Sequence, residues 1–170
     1  IKVDLRSDHQ VRDFFIQVIG HAIAGRGIAK IIRIFVRFRR INDRGEDACS
    51  WFYPDGTRLL WTSTRDHLEM PRGSWSDDTR YPQGAELYSS DPDGKDVRRL
   101  TNNRWYDAEA TVSPDGRWIV FGRQIDGNAD LWRMKPDGTE QTQLTFTSDW
   151  QEGEAYFLPD SETVIFRAWK

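Results

Sequence analysis

Ala110-Thr111-Val112-Ser113-Pro114-Asp115-Gly116-Arg117-Trp118-Ile119-Val120-Phe121 decides how this chain is read. A short apolar segment runs into Ser-Pro-Asp-Gly, and a second, β-branched and aromatic run leaves it. Proline presets φ at the first turn position, aspartate bonds the local backbone and glycine accepts positive φ, so the stretch predicts strand, turn, strand. The phrase recurs as Tyr53-Pro54-Asp55-Gly56, Asp91-Pro92-Asp93-Gly94, Lys135-Pro136-Asp137-Gly138 and, altered, Leu158-Pro159-Asp160-Ser161.

The five copies fall into two kinds. In the first, residues five to seven beyond the proline are Leu59-Leu60-Trp61, Ile119-Val120-Phe121 and Val164-Ile165-Phe166. In the second, Leu-Thr follows eight and nine residues on, as Leu100-Thr101 and Leu144-Thr145. Ala85-Glu86-Leu87-Tyr88 precedes one of these and Ala129-Asp130-Leu131-Trp132 the other. Two interleaved hairpins make a four-stranded unit. The prolines repeat at 44 residues (Pro92 to Pro136) and 45 residues (Pro114 to Pro159). That period belongs to propeller blades of about 40–45 residues.

Residues 108–145 resemble one repeat of the TolB-type β-propeller family. The carrying residues are Ala110-Thr111-Val112-Ser113-Pro114-Asp115-Gly116, Trp118-Ile119-Val120-Phe121, Asp126-Gly127-Asn128, Asp130-Leu131-Trp132, Pro136-Asp137-Gly138 and Leu144-Thr145. The resemblance extends over residues 46–170. The expected fold class is all-β, with propeller blades of four antiparallel strands, about two and a half in number, after an N-terminal helix and a basic strand. The expected blades are 46–101, 107–145 and a partial 152–170. Pro54 to Pro114 is 60 residues, so the first blade carries an excess, placed at 65–83 between its second and third strands. A closed propeller needs about 4–8 blades. The sequence therefore reads as a piece of a longer protein, or as one whose propeller is completed by other copies.

Residues 1–44 do not match the repeat and are set apart from 45–170. Val11, Phe14, Phe15, Val18, Ile19, Ala22 and Ile23 form one apolar helical face. Ile32, Ile34, Val36 and Phe38 then alternate with Arg33, Phe35, Arg37 and Arg39, as in a strand. These 44 residues carry ten basic and four acidic side chains, whereas 45–170 carry fourteen and twenty-three. One reading packs the helix on the propeller and makes the basic segment a strand of the preceding blade. The other makes residues 11–40 a basic amphipathic element that meets a membrane surface or an acidic partner. A total charge of −3 does not suggest nucleic acid. The single cysteine, Cys49, excludes an internal disulfide.

Candidates for chemistry are few. His9, His21 and His67 have no metal-ligand spacing, and neither a hydrolase elbow nor a phosphate loop is present. Asp126-Gly127-Asn128-Ala129-Asp130 superficially resembles a calcium loop but lacks the twelfth-position glutamate and reads as a hairpin turn. No metal and no cofactor are assigned, and the chain reads as a non-enzyme. Seven residues before each first-kind proline stands Asp47, Asp107 or Glu152; five before stands Cys49, Glu109 or Glu154. In a propeller these positions lead into the innermost strands and ring one mouth, beside Trp105, Tyr106 and Trp150. The acids either receive a cation or a basic segment of a partner, or bond neighbouring blades. The aromatics either anchor an interface or pack between blades.

The resemblance implies a funnel at this mouth that docks partner proteins, and a periplasmic or secreted setting. The expected function is a non-catalytic binding module or scaffold for a protein or peptide, with self-association completing the propeller as a further expectation. A carbohydrate-binding propeller and an accessory domain of a peptidase are the alternatives. On the docking reading, replacing Asp107 and Glu152 together weakens partner binding and leaves folding intact.

Overall fold

The computed structural model describes residues 44–170. The helix expected at 11–23 and the basic strand expected at 31–40 lie outside the described residues. Ten strands follow one another: β1 (Asp47–Phe52), β2 (Leu59–Ser63), β3 (Glu86–Ser90), β4 (Arg98–Arg99), β5 (Tyr106–Val112), β6 (Ile119–Ile125), β7 (Asn128–Met134), β8 (Thr142–Gln143), β9 (Gln151–Phe157) and β10 (Val164–Trp169). They pair antiparallel in sequence order as β1-β2-β3-β4, β5-β6-β7-β8 and β9-β10. The described residues are all-β: two complete propeller blades and the inner half of a third.

The two kinds of Pro-Asp-Gly differ in how they close. In the first kind the Tyr53, Ser113 and Leu158 amides donate to the carbonyls five residues on, Arg58, Trp118 and Thr163, at 2.9, 2.8 and 2.8 Å. In the second kind Asp91 and Lys135 donate to carbonyls four residues on, Lys95 and Thr139, at 2.9 and 2.8 Å. The shorter closure is followed by Asp96 and Glu140 at φ 48° and 53°, which turn the chain into the outermost strand. In blade 2, Asp126 and Gly127 both have positive φ (50° and 86°), as a two-residue primed hairpin requires.

The Leu-Thr pair has a visible purpose. Leu100 and Leu144 donate their amides to Leu87 and Leu131 carbonyls at 2.8 and 2.7 Å. The Leu87 and Leu131 amides in turn donate to Thr101 and Thr145 Oγ1, both at 2.9 Å. A hydroxyl thus continues the ladder where each two-residue outer strand has ended.

Blade 2 is buried on both faces. Ile119, Phe121 and Met134 join Tyr53, Leu60, Leu87 and Leu100 of blade 1 in one core. Val120 and Leu131 point the other way and join Ala155, with Phe157 and Val164 packed alongside, from the third blade. Alternation with period two therefore places successive residues of β6 in different interfaces. Each large side chain contributes roughly 1.5–3 kcal/mol when fully buried. Phe121 is wholly enclosed, so Phe121→Ala is expected to lower unfolding free energy by about 3–5 kcal/mol in urea melts. Phe52→Ala, at a side chain 59% exposed, is expected to cost under about 1 kcal/mol.

Candidate functional site

The innermost strands β1, β5 and β9 begin at one end of the blades, and the sequence-predicted site residues gather there. Their surroundings differ from the open acidic ring expected. Asp107, on β5, is fully buried. Arg123 of β6 grips it with two bonds, Nε to Oδ1 at 2.6 Å and Nη2 to Oδ2 at 2.7 Å. Asn103 Nδ2 adds a third at 2.8 Å. The Arg123 guanidinium also lies over the Trp132 ring at 4.5 Å. Glu152 is buried as well and accepts the Thr147 hydroxyl at 2.9 Å. Asp107 and Glu152 are therefore internal braces of blades 2 and 3, not groups facing a partner. The expectation that their removal spares folding is corrected on that ground. Asp47, at the start of β1, is exposed.

Cys49, Glu109 and Glu154 share one backbone role. All three adopt positive φ (48°, 56° and 51°). Ladder register shifts at this level in each innermost pair, which marks a bulge. Glu109 Oε2 accepts the Glu154 amide at 2.8 Å, joining the bulges of blades 2 and 3. Arg167 Nη1 meets Glu154 Oε1 at 3.1 Å. Burial first, and then the nearby Glu154 charge, push the half-buried Glu109 carboxyl above its ordinary range against the pull of its Glu154 amide bond.

The aromatics divide. Tyr106 is buried, stacked on Tyr81 with centroids 4.2 Å apart and crossed by Trp75 at 6.1 Å. Burial raises the Tyr81 phenol to about 12 and that of Tyr106 further, with Glu109 the next cause for both. Tyr106 is thus a packing residue here, not a rim anchor. Trp105 is half-buried, with Arg104 at 5.5 Å from its ring. Trp150 is 41% exposed and Phe146 75%. Lys170 Nζ stands 4.9 Å from the Trp150 ring.

Tyr81 and Trp75 come from residues 64–85, the excess length of blade 1. This excursion lies across the strand-start end. Its base is stitched to blade 2 by Gly84 N to Trp105 O at 2.9 Å and Asp107 N to Ala85 O at 2.8 Å. On the blade 1 side, Glu46 accepts Trp75 Nε1 at 3.0 Å and Arg72 Nε at 2.8 Å. Farther out, Asp78 accepts Gln124 Nε2 on its carbonyl at 2.8 Å and Trp169 Nε1 on its carboxylate at 2.5 Å. Thus one loop of blade 1 touches blades 2 and 3. A cleft of about 210 Å³ opens at its base between Glu46, His67, Met70 and Arg72. Among the described residues, no three His, Cys, Asp or Glu side chains are grouped as metal ligands.

Sequence reasoning missed Arg123, Tyr81, Trp75 and Asp78. Arg123 carried a signal: a cation two residues beyond the apolar run Ile119-Val120-Phe121 needs a partner if that strand is enclosed. Trp75 and Tyr81 were two large aromatics in an otherwise polar excursion.

Comparison with known proteins agrees with this architecture. A solved structure from Agrobacterium tumefaciens, described as a candidate TolB, matches with a TM-score of 0.60 and 22% identity, over 76% of this chain and 40% of that one. An uncharacterised protein of Agrobacterium fabrum is 31% identical over 115 residues, 66% of this chain and 33% of its own length. No family model matches. The fold is TolB-like, and the chain spans a third of that relative and two-fifths of the solved neighbour.

Asp107→Ala would strand Arg123 without its counter-charge, so a loss of about 3–5 kcal/mol is expected in urea melts. Glu109→Gln is expected to change the pH dependence. A carboxyl raised in the folded state binds its proton more tightly than in the unfolded chain, so its stabilisation is present below the ordinary value of 4.5 and is lost as pH rises through the raised one. Glutamine mimics the protonated form. The variant should match the parent near pH 4 and exceed it at pH 7, read as midpoint shifts in paired melts.

Proposed function

We propose that the chain belongs to a non-catalytic propeller that binds a protein or peptide partner at the strand-start end. The observation that carries this reading is the loop between β8 and β9. Phe146 and Trp150 stand exposed on the seven residues, 144–150, held between the two strands. Large aromatics on a rigid mount bring contact area at little entropic cost, and such residues dominate binding energy in protein interfaces. Trp105 occupies the matching position one blade earlier, so the two mounts repeat around the arc. The TolB-like fold of the solved neighbour supports the propeller scaffold; the choice of partner does not follow from it.

The acids have a different part in this reading from the one sequence suggested. Asp107 and Glu152 hold the blades in shape. Contact falls to Trp150, Phe146 and the exposed surface of the excursion, with Glu109 and Glu154 deeper on the axial side. A glycan reading remains as the second choice, because the exposed Trp150 face is also a stacking platform for sugars.

A photo-crosslinking residue at position 150 of the full-length protein tests the reading. It should capture a defined protein that the same residue at position 57, on the opposite end of blade 1, does not. The captured protein should bind Trp150→Ala about tenfold or more weakly, with the melting temperature unchanged. Equal capture at both positions overturns the docking reading. Retention on immobilised polysaccharide, lost in Trp150→Ala, would replace it with the glycan reading.

A further inference from the structure

We infer that residues 74–82 form a lid over the strand-start end of the blades, latched through Asp78. Two properties of the excursion point to it.

First, the segment holds its own shape. Ser74 N donates to Arg80 O at 2.7 Å, and Arg80 N donates to Asp77 O at 2.9 Å. The Asp77 carboxylate accepts Thr79 N at 3.1 Å, Thr79 Oγ1 at 2.6 Å and Arg80 Nε at 2.8 Å. These bonds are internal and survive any movement of the segment as a piece. Gly73 and Gly84 flank it at φ 61° and 71°. At Gly73 an added Cβ would stand 2.3 Å from the Arg80 carbonyl oxygen, so the chain crosses itself closely there.

Second, the attachments are unequal. The blade 1 edge is pinned, because Trp75 Nε1 is bonded to Glu46. The far edge is held at one residue. Asp78 supplies both the carbonyl for Gln124 and the carboxylate for Trp169. Between these edges, Tyr81 lies flat on Tyr106. A stacked pair parts without breaking a hydrogen bond and leaves two ring faces free. Ser76, Thr79 and Arg80 face solvent, so the lid's outer surface is polar while Tyr81 and Trp75 beneath it are apolar. Release of Asp78 would let the segment turn about the Trp75 edge. Tyr106 would then lose the Tyr81 ring that lies on it.

As a gate for a partner, this lid rests on the docking reading above. As a unit that opens, it does not, and the test reads opening in the free protein. Hydroxyl-radical footprinting of Tyr81 and Tyr106 and amide hydrogen exchange of the blades are followed by mass spectrometry in the parent, Asp78→Ala, Asp78→Asn and Trp169→Phe. Asparagine keeps an acceptor for Trp169, phenylalanine removes the indole donor with part of the ring, and the Asp78 carbonyl still accepts Gln124 in all three variants. Tyr81 and Tyr106, buried in the parent, should be labelled about tenfold faster in Asp78→Ala. Labelling should stay near the parental rate in Asp78→Asn and be intermediate in Trp169→Phe. Amides of residues 106–112 and 119–125 should keep parental exchange rates throughout. Unchanged labelling of both tyrosines in Asp78→Ala and Trp169→Phe overturns the latch. Faster amide exchange that spreads into β5 and β6 overturns the lid, because the excursion would then be part of the blade core.

Discussion

Burial of both faces of a sheet between two neighbours, as in blade 2, is the constraint on which the molecule depends. A propeller strand has no solvent side, so β6 sends Phe121 into one interface and Val120 into the other. Blade 2 is stable because it has a neighbour on each side. The third blade, with only β9 and β10 described, leaves Tyr156, Ile165 and Phe166 exposed at 45%, 54% and 44%. These values are the counterpart of the zero exposure of Phe121 and Val120. The difference comes from the neighbours, since the strands carry similar residues.

That constraint also explains where charge is tolerated. A strand enclosed on both faces cannot leave a cation unpaired without a cost of several kcal/mol. Arg123 sits in such a strand and meets Asp107 on the adjacent strand β5, with Trp132 beneath the guanidinium. Backbone strain is placed by the same geometry. Glu109 and Glu154 adopt a left-handed conformation that costs a non-glycine residue on the order of 1–2 kcal/mol. Their bulges coincide with the Glu109–Glu154 bond between blades, so the strained positions are also those where innermost strands are joined.

The excursion changes what the strand-start end offers. Without residues 64–85, Tyr106 would lose the Tyr81 ring stacked on it. With them, a self-bonded loop from blade 1 covers blade 2 and reaches Trp169 of the third blade. The exposed aromatic surface shifts outward to Phe146 and Trp150, which the loop does not cover.

Sequence alone determined the strand order, the two turn kinds, the blade period and the site of the extra length. These are local properties: Pro-Asp-Gly dictates its own turn, and alternation dictates which residues share a face. It also placed the candidate acids at one end, because equal spacing from each proline means equal height along each innermost strand. Tertiary structure decided which of those residues are accessible. Asp107 and Asp47 stand at the same distance from their prolines, yet one is enclosed by Arg123 and Asn103 and the other is exposed. Tyr106 and Trp150 both read as rim aromatics, yet Tyr81, 25 residues before Tyr106, closes over the first. Accessibility depends on what a distant segment packs against, and a repeat that specifies each blade's own geometry carries no information about the loop laid across it.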